Sequence, residues 1–219
     1  RQREVSGPFV LRGRYSAKLT VKGAGTQLVR ETPIEVRADP LVQLTEAEYR
    51  VLYDMRTSTG KLQATVQAAV RTAEQLKEQT TDVKTALKGS SAPDTLTKQV
   101  DALDRDVTDI LNKLRGDPDA ETLADDKRTE EPSIQDRVNS VAGQIGNVSS
   151  PPTSLQRATL ELATSDLQRE VGRINALLQR QIPALNAALD APRIPWTIGR
   201  PVDAEPPLSP ASSSMQATP

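Results

Sequence analysis

The chain has 219 residues, with 28 basic and 29 acidic side chains and a formal net charge of −1. That is long enough for one or two domains with a core, and it lacks the strong field that draws a protein to nucleic acid or an anionic membrane. Histidine and cysteine are both absent, which removes the usual proton shuttle, the thiol nucleophile and the main zinc and iron ligands. A carboxylate pair or a Ser–Lys pair needs neither, so catalysis is made less expected rather than excluded. Aromatic residues make up 2% and hydrophobic residues 36%, chiefly Leu, Val and Ala, a composition suited to narrow helical packing rather than an interior of large rings. No apolar run approaches a membrane span. The chain begins at Arg1 without Met or signal peptide, so we expect a cut or processed terminus.

Residues 1–40 read as β structure. In Tyr15-Ser16-Ala17-Lys18-Leu19-Thr20-Val21-Lys22 the apolar residues alternate, placing Tyr15, Ala17, Leu19 and Val21 on one face. Gly23-Ala24-Gly25 is a turn signal, a second strand runs from about Leu28 to Val36, and Asp39-Pro40 ends it. Two strands alone are marginal in water, so the hairpin needs a cover, which we expect to be a sheet partner rather than the helices.

From Leu44 the period changes to that of a helix. Thr45-Glu46-Ala47-Glu48 is a capping box, followed by an apolar or small seam at Val51, Met55, Thr59, Leu62, Val66, Ala69, Ala73, Leu76, Thr80, Val83 and Leu87. Lys88-Gly89 marks its end. A second helix opens at Ser91-Ala92-Pro93-Asp94, with a seam at Leu96, Val100, Leu103, Val107, Ile110 and Leu114, and stops at Gly116-Asp117-Pro118. Residues 117–132 carry seven acids and two bases and read as a loop. The third helix is capped at Ser133-Ile134-Gln135-Asp136 and lined by Ile134, Val138, Val141, Ile145 and Val148. Pro151-Pro152 breaks the chain. Thr153-Ser154-Leu155-Gln156 then caps a fourth helix through Leu160, Ala163, Leu167, Val171, Ile174, Leu178, Leu185 and Leu189, with Pro183 expected to kink it or remove a hydrogen bond.

At 1.5 Å per residue the first and fourth helices are roughly 65 and 55 Å long, and the second and third together about 57 Å. Those lengths predict a mainly α fold: a long antiparallel bundle of three rods from four helices over residues 41–190, the middle rod being the second helix continued by the third. The β-hairpin of residues 1–40 precedes it and a Pro/Ser-rich tail, residues 191–219, follows, largely disordered, its first part pinned by Trp196 and Ile198. Short breaks between helices favour packing within one chain over a coiled coil between chains.

The chemistry is sparse. Asp117-Pro118-Asp119-Ala120-Glu121 resembles the start of a calcium loop, but the positions that need Gly and Glu hold Thr122 and Arg128, and a solvated loop is the better reading. Asp125-Asp126 is one of many chance acid pairs. The basic N-terminal stretch, including Arg12, Arg14, Lys18, Lys22, Arg30 and Arg37, carries no nucleic-acid motif. Pro192-Arg193-Ile194-Pro195 fits P-x-x-P as any proline-rich tail does. No catalytic, cofactor-binding or metal-ligating residue is assigned, and no cofactor is expected.

Gly13-Arg14-Tyr15, Lys18-Leu19-Thr20-Val21 and Ile34-Glu35-Val36-Arg37-Ala38-Asp39-Pro40 resemble the closing strands of a small Ig-like module. Such a module precedes the C-terminal helices of secreted bacterial sortilin-like (BNR-repeat) β-propeller proteins, often labelled glycosyl hydrolases. Pro132-Ser133-Ile134-Gln135-Asp136-Arg137-Val138, Pro152-Thr153 and Ile182-Pro183-Ala184-Leu185-Asn186 resemble the later helical part. The resemblance spans about Gly13 to Leu189. It implies an extracytoplasmic location and β-propeller and Ig-like domains upstream as partners, with any hydrolysis residing there. No S-x-D-x-G-x-T-W box occurs here, so no active-site residue carries over, and the 117–132 insertion and the tail match nothing in the family. The expected function is a non-catalytic structural or docking module with a possible protein partner. The alternatives are a self-associating coiled-coil scaffold and an accessory part of a hydrolase.

Overall fold

In the computed structural model, residues 10–23, 26–88, 90, 92–118 and 131–189 are described. The chain is mainly helical with one two-stranded antiparallel hairpin. Strand β1 (Gly13–Gly23) pairs with β2 (Thr26–Val36). Helices α1 (Glu46–Leu87), α2 (Asp94–Arg115), α3 (Ile134–Gly146) and α4 (Ser154–Ala176) follow, and α4 runs through a π-turn (Leu177–Gln181) into α5 (Ile182–Leu189). The expected stop at Gly89, most of the 117–132 segment, Trp196, Ile198 and the P-x-x-P stretch lie outside the described residues.

Helix α1 starts where its sequence dictates. Thr45 accepts from Glu48 N, and the Glu48 carboxylate accepts from Thr45 N at 2.8 Å, closing the capping box. The two Thr45 bonds hold the Glu48 carboxyl below its ordinary range. Thr153 and Gln156 repeat the box at α4, and Ser133 caps α3 by accepting from Asp136 N. The second helix departs from expectation: its N-cap is Pro93 and no side chain caps it. Proline's fixed φ suits a helix start and its missing N–H leaves one fewer donor to satisfy.

Polar pairs along the helices set their directions. Lys84 meets Asp101, Lys77 meets Asp104, and Glu74 meets Arg115, so α2 runs opposite to α1. Gln63 binds Asn139 at 3.0 Å and Arg56 binds the Ile145 carbonyl, which sets α3 antiparallel to the earlier half of α1. Arg137–Asp166 and Arg173–Asp109 pair α4 with both α3 and α2. Residues from every helix, among them Val66, Leu103, Ile134, Leu167 and Leu185, form one buried apolar cluster, with a smaller one of Leu52, Met55, Val141 and Ile145. Burying each Leu, Val or Ile contributes about 1.5–3 kcal/mol before chain entropy.

Three seam assignments need correction. Val51 is 43% exposed and Leu52 is 3% exposed in its place, against Val141 and Ile145. Starting at Leu52 makes the α1 steps alternate three and four without a fault, the true heptad phase. Val148 is exposed because α3 already ends at Gly146. Leu178 is exposed and Leu177 is buried. The cause lies at Pro183. It has no N–H for the carbonyl of Gln179 and its ring crowds that carbonyl. The helix widens instead, with Ile182 N–H donating to Leu177 O across five residues. The extra residue makes the buried step from Leu177 to Ile182 five long, after which Leu185 and Leu189 resume the pattern.

Candidate docking surface

The hairpin register places Tyr15 opposite Ile34, Leu19 opposite Arg30, and Val21 opposite Leu28. Since side chains alternate across a strand, one face carries Tyr15, Ala17, Leu19 and Val21 from β1 with Leu28, Arg30, Thr32, Ile34 and Val36 from β2, apolar but for Arg30 and Thr32. The other carries Arg14, Ser16, Lys18, Thr20 and Lys22 against Glu35, Pro33, Glu31, Val29 and Gln27. Val36 at the base is half-buried, but the rest of this face has no cover among the described residues. Leu19 is 63% exposed, and Tyr15, Val21, Leu28 and Ile34 are also exposed. Several large apolar side chains are thus exposed together on one face of the hairpin, which makes it a candidate interaction surface.

Where the hairpin meets the helices, Arg12 pairs with Glu46 at the start of α1. Beneath it lies a cavity of about 370 Å³, lined by Leu11, Val36, Leu44, Tyr49, Tyr53 and Arg56 among others. Arg56 closes its floor by donating Nε to Ile145 O at 2.8 Å and a second guanidinium N–H to Val148 O at 2.7 Å. These bonds satisfy carbonyls that the end of α3 leaves open. Arg12–Glu46 thus ties the base of the hairpin to α1, and Arg56 ties α1 to the end of α3.

Charged side chains between helices form two inward clusters. Asp104 on α2 accepts from Lys77 Nζ at 2.7 Å, Lys84 Nζ at 3.1 Å and Thr80 Oγ1 at 3.1 Å. Burial raises its pKa, but the bonds from Lys77 and Lys84 outweigh that and hold it below the ordinary carboxylate range. Asp166 is likewise opposed by burial and lowered by its bonds to Arg137 and Arg169. Glu170 is 0% exposed in the seam of α4. It receives Arg173 at 2.8 Å and Arg169 Nε at 3.4 Å, and Arg173 continues to Asp109 at 2.7 Å. For Arg173 burial acts downward, yet Asp109 and Glu170 raise its pKa on balance. Asp104 and Asp166 take cations from a neighbouring helix, and Arg173 links Glu170 on its own helix to Asp109 on α2, contacts that tie the helices in register.

Sequence reasoning missed Glu170 by following apolar residues to Val171. The continuation of Ala163 and Leu167 in steps of four and three falls on residue 170 and then Ile174, so spacing alone marks it. Among the described residues no group of three or more acidic side chains is placed to hold a metal ion, and no helix is long and apolar enough to cross a membrane. The candidate calcium segment and Asp125-Asp126 fall almost wholly outside the described residues. No family model matches the chain, and neither a curated protein nor a solved structure does.

Proposed function

We propose that the chain is a non-catalytic structural and docking module. Its helices act as three antiparallel rods, α2 continued by α3 forming the middle one, and this stiff body presents the hairpin to a sheet partner. One observation carries the reading: the helical stripes are buried in shared clusters while the apolar face of the hairpin stands open to solvent. The family resemblance supplies the partner's character. It suggests an Ig-like module completed by these strands in an extracytoplasmic protein bearing β-propellers, where any hydrolase activity would lie.

An environment-sensitive apolar dye tests this. The wild-type chain binds the dye, and Leu19→Lys combined with Leu28→Lys abolishes binding without changing helical circular dichroism or Tm. Unchanged dye binding, or a fall in the helical Tm, contradicts the reading. The self-associating scaffold draws on a separate feature: Leu155 and Leu162 sit seven residues apart on α4 and are exposed. Light scattering separates the two, since a docking module is monomeric without its partner and a scaffold is not.

A further inference from the structure

Among the described residues the hairpin has two unpaired edges, and they differ chemically. Proline cannot donate to a ladder, so Ser16↔Pro33 is a pair without exchanged ladder bonds. Because such pairs alternate with bonded ones along an antiparallel ladder, Arg14, Ser16, Lys18, Thr20 and Lys22 turn their backbone N–H and C=O groups outward from β1. The outward set on β2 is Gln27, Val29, Glu31, Pro33 and Glu35, and Pro33 interrupts it with a missing donor and a ring. The β1 edge has an unbroken set of donors; the β2 edge does not.

The side chains of the β1 edge carry a second signal. Arg14, Lys18 and Lys22 stand at every fourth residue on the polar face, and none has a hydrogen bond or ion pair with a described residue. Across the ladder they face Glu35, Glu31 and Gln27, and the Glu35 carboxylate is bonded to Arg37 at 2.7 Å. A strand on the open side of β1 would lie directly beside the same three cations, within reach of opposite-charge pairing.

We propose that the β1 edge receives an extended strand of the Ig-like sheet partner proposed above, one whose residues alternate between apolar and polar, with Asp or Glu at every fourth position. Its backbone extends the sheet, its carboxylates meet Arg14, Lys18 and Lys22, and its apolar residues widen the Tyr15–Leu19–Val21 face. This is strand addition to an exposed sheet edge, and it rests on the docking reading above. A second copy of this chain is the wrong occupant. Antiparallel pairing of two β1 edges centred on Lys18 sets Lys18 against Lys18 and Arg14 against Lys22, and pairing β1 with another β2 meets Pro33.

The test uses the full chain and two synthetic peptides matched in length to β1. One alternates Val with Glu-Thr-Glu-Thr-Glu; the other replaces each Glu by Lys. The Glu peptide binds at least about tenfold more tightly and slows amide exchange at Ser16, Lys18 and Thr20. Reversing the charges together (Arg14→Glu, Lys18→Glu and Lys22→Glu) transfers the preference to the Lys peptide. Equal affinity for the peptides overturns the proposal. So does protection at Gln27, Val29 and Glu31 in place of β1, or β1 protection that rises with protein concentration in the absence of peptide, the mark of a second copy. A peptide that suppresses dye binding without protecting the β1 amides overturns the edge assignment and leaves the docking reading standing. Loss of both dye and peptide binding removes both.

Discussion

Glu170 and Arg173 lie one turn apart on α4, with Arg173 Nη1 2.8 Å from Glu170 Oε2, and the glutamate is wholly buried while the arginine reaches out to Asp109. The pair is asymmetric, so its two halves have different consequences. Removing the guanidinium strands a buried charge with only the 3.4 Å contact to Arg169. Arg173→Leu should therefore destabilise the fold by about 3 kcal/mol. Glu170→Leu fills the seam with an apolar side chain and leaves Arg173 bonded to Asp109, so its effect should stay within about 1 kcal/mol or be stabilising. Urea denaturation of both variants checks the order, and equal losses would refute it.

The apolar seam gives a second contrast. Leu103 is buried in the main cluster, whereas Leu155 is 75% exposed. Leu103→Ala should cost about 2–5 kcal/mol and Leu155→Ala no more than about 0.5. Equal Tm values would contradict the seam.

The π-turn predicts a rescue. Deleting Gln179, which is exposed, restores straight α-helical phase through the buried positions but places Pro183 in a helix interior. The deletion alone should cost about 3 kcal/mol or more. The same deletion combined with Pro183→Ala should recover most of that loss. Chemical denaturation reads both, and a double variant no more stable than the single would show that the widened turn has another cause.

Acid should loosen the helices in a defined window. Asp104, Asp109 and Asp166 all have carboxyl pKa values lowered in the folded state by bonds to Lys or Arg. Between the folded and unfolded pKa the unfolded chain binds more protons, so stability rises with pH there. The contribution is complete above the ordinary Asp value near 3.9 and is lost as pH falls through the lowered one. Asp104→Asn should flatten that acid limb. With no histidine in the chain, the stability profile should be nearly level from about pH 5 to 8. A step near pH 6.5 in the wild type would contradict this.

Much of the helical layout is legible in the sequence because local rules agree with one another. Thr45, Ser133 and Thr153 announce helix starts through hydroxyls that only a nascent helix needs, and steps of three and four follow each. The faults arise where one rule is read without its neighbour. The apolar pattern admits Val51 in place of Leu52 because both are apolar and only strict alternation back from Met55 separates them. It admits Leu178 in place of Leu177 because a proline at 183 predicts a kink, whereas the backbone absorbs it as an extra residue. Glu170 is masked by its charge: the four-three spacing from Ala163 and Leu167 falls on it, but a search for apolar residues alone steps past it to Val171. The docking surface is half legible. Alternation gives the apolar face of β1, but its lack of cover depends on tertiary packing that the strand sequence does not encode.

Residue-resolved hydrogen exchange on the full chain tests the central claim most directly. Slow, cooperative exchange is expected from Val66 to Leu87, Leu96 to Leu114 and Ala163 to Leu189, because these segments share one core. Fast exchange is expected at the outward amides of Ser16, Lys18 and Thr20, with slower exchange at Ala17 and Leu19 on the inner side of the same strand. Independent fast exchange of the helices, or protection of the outer edge of β1 in the isolated chain, would contradict it.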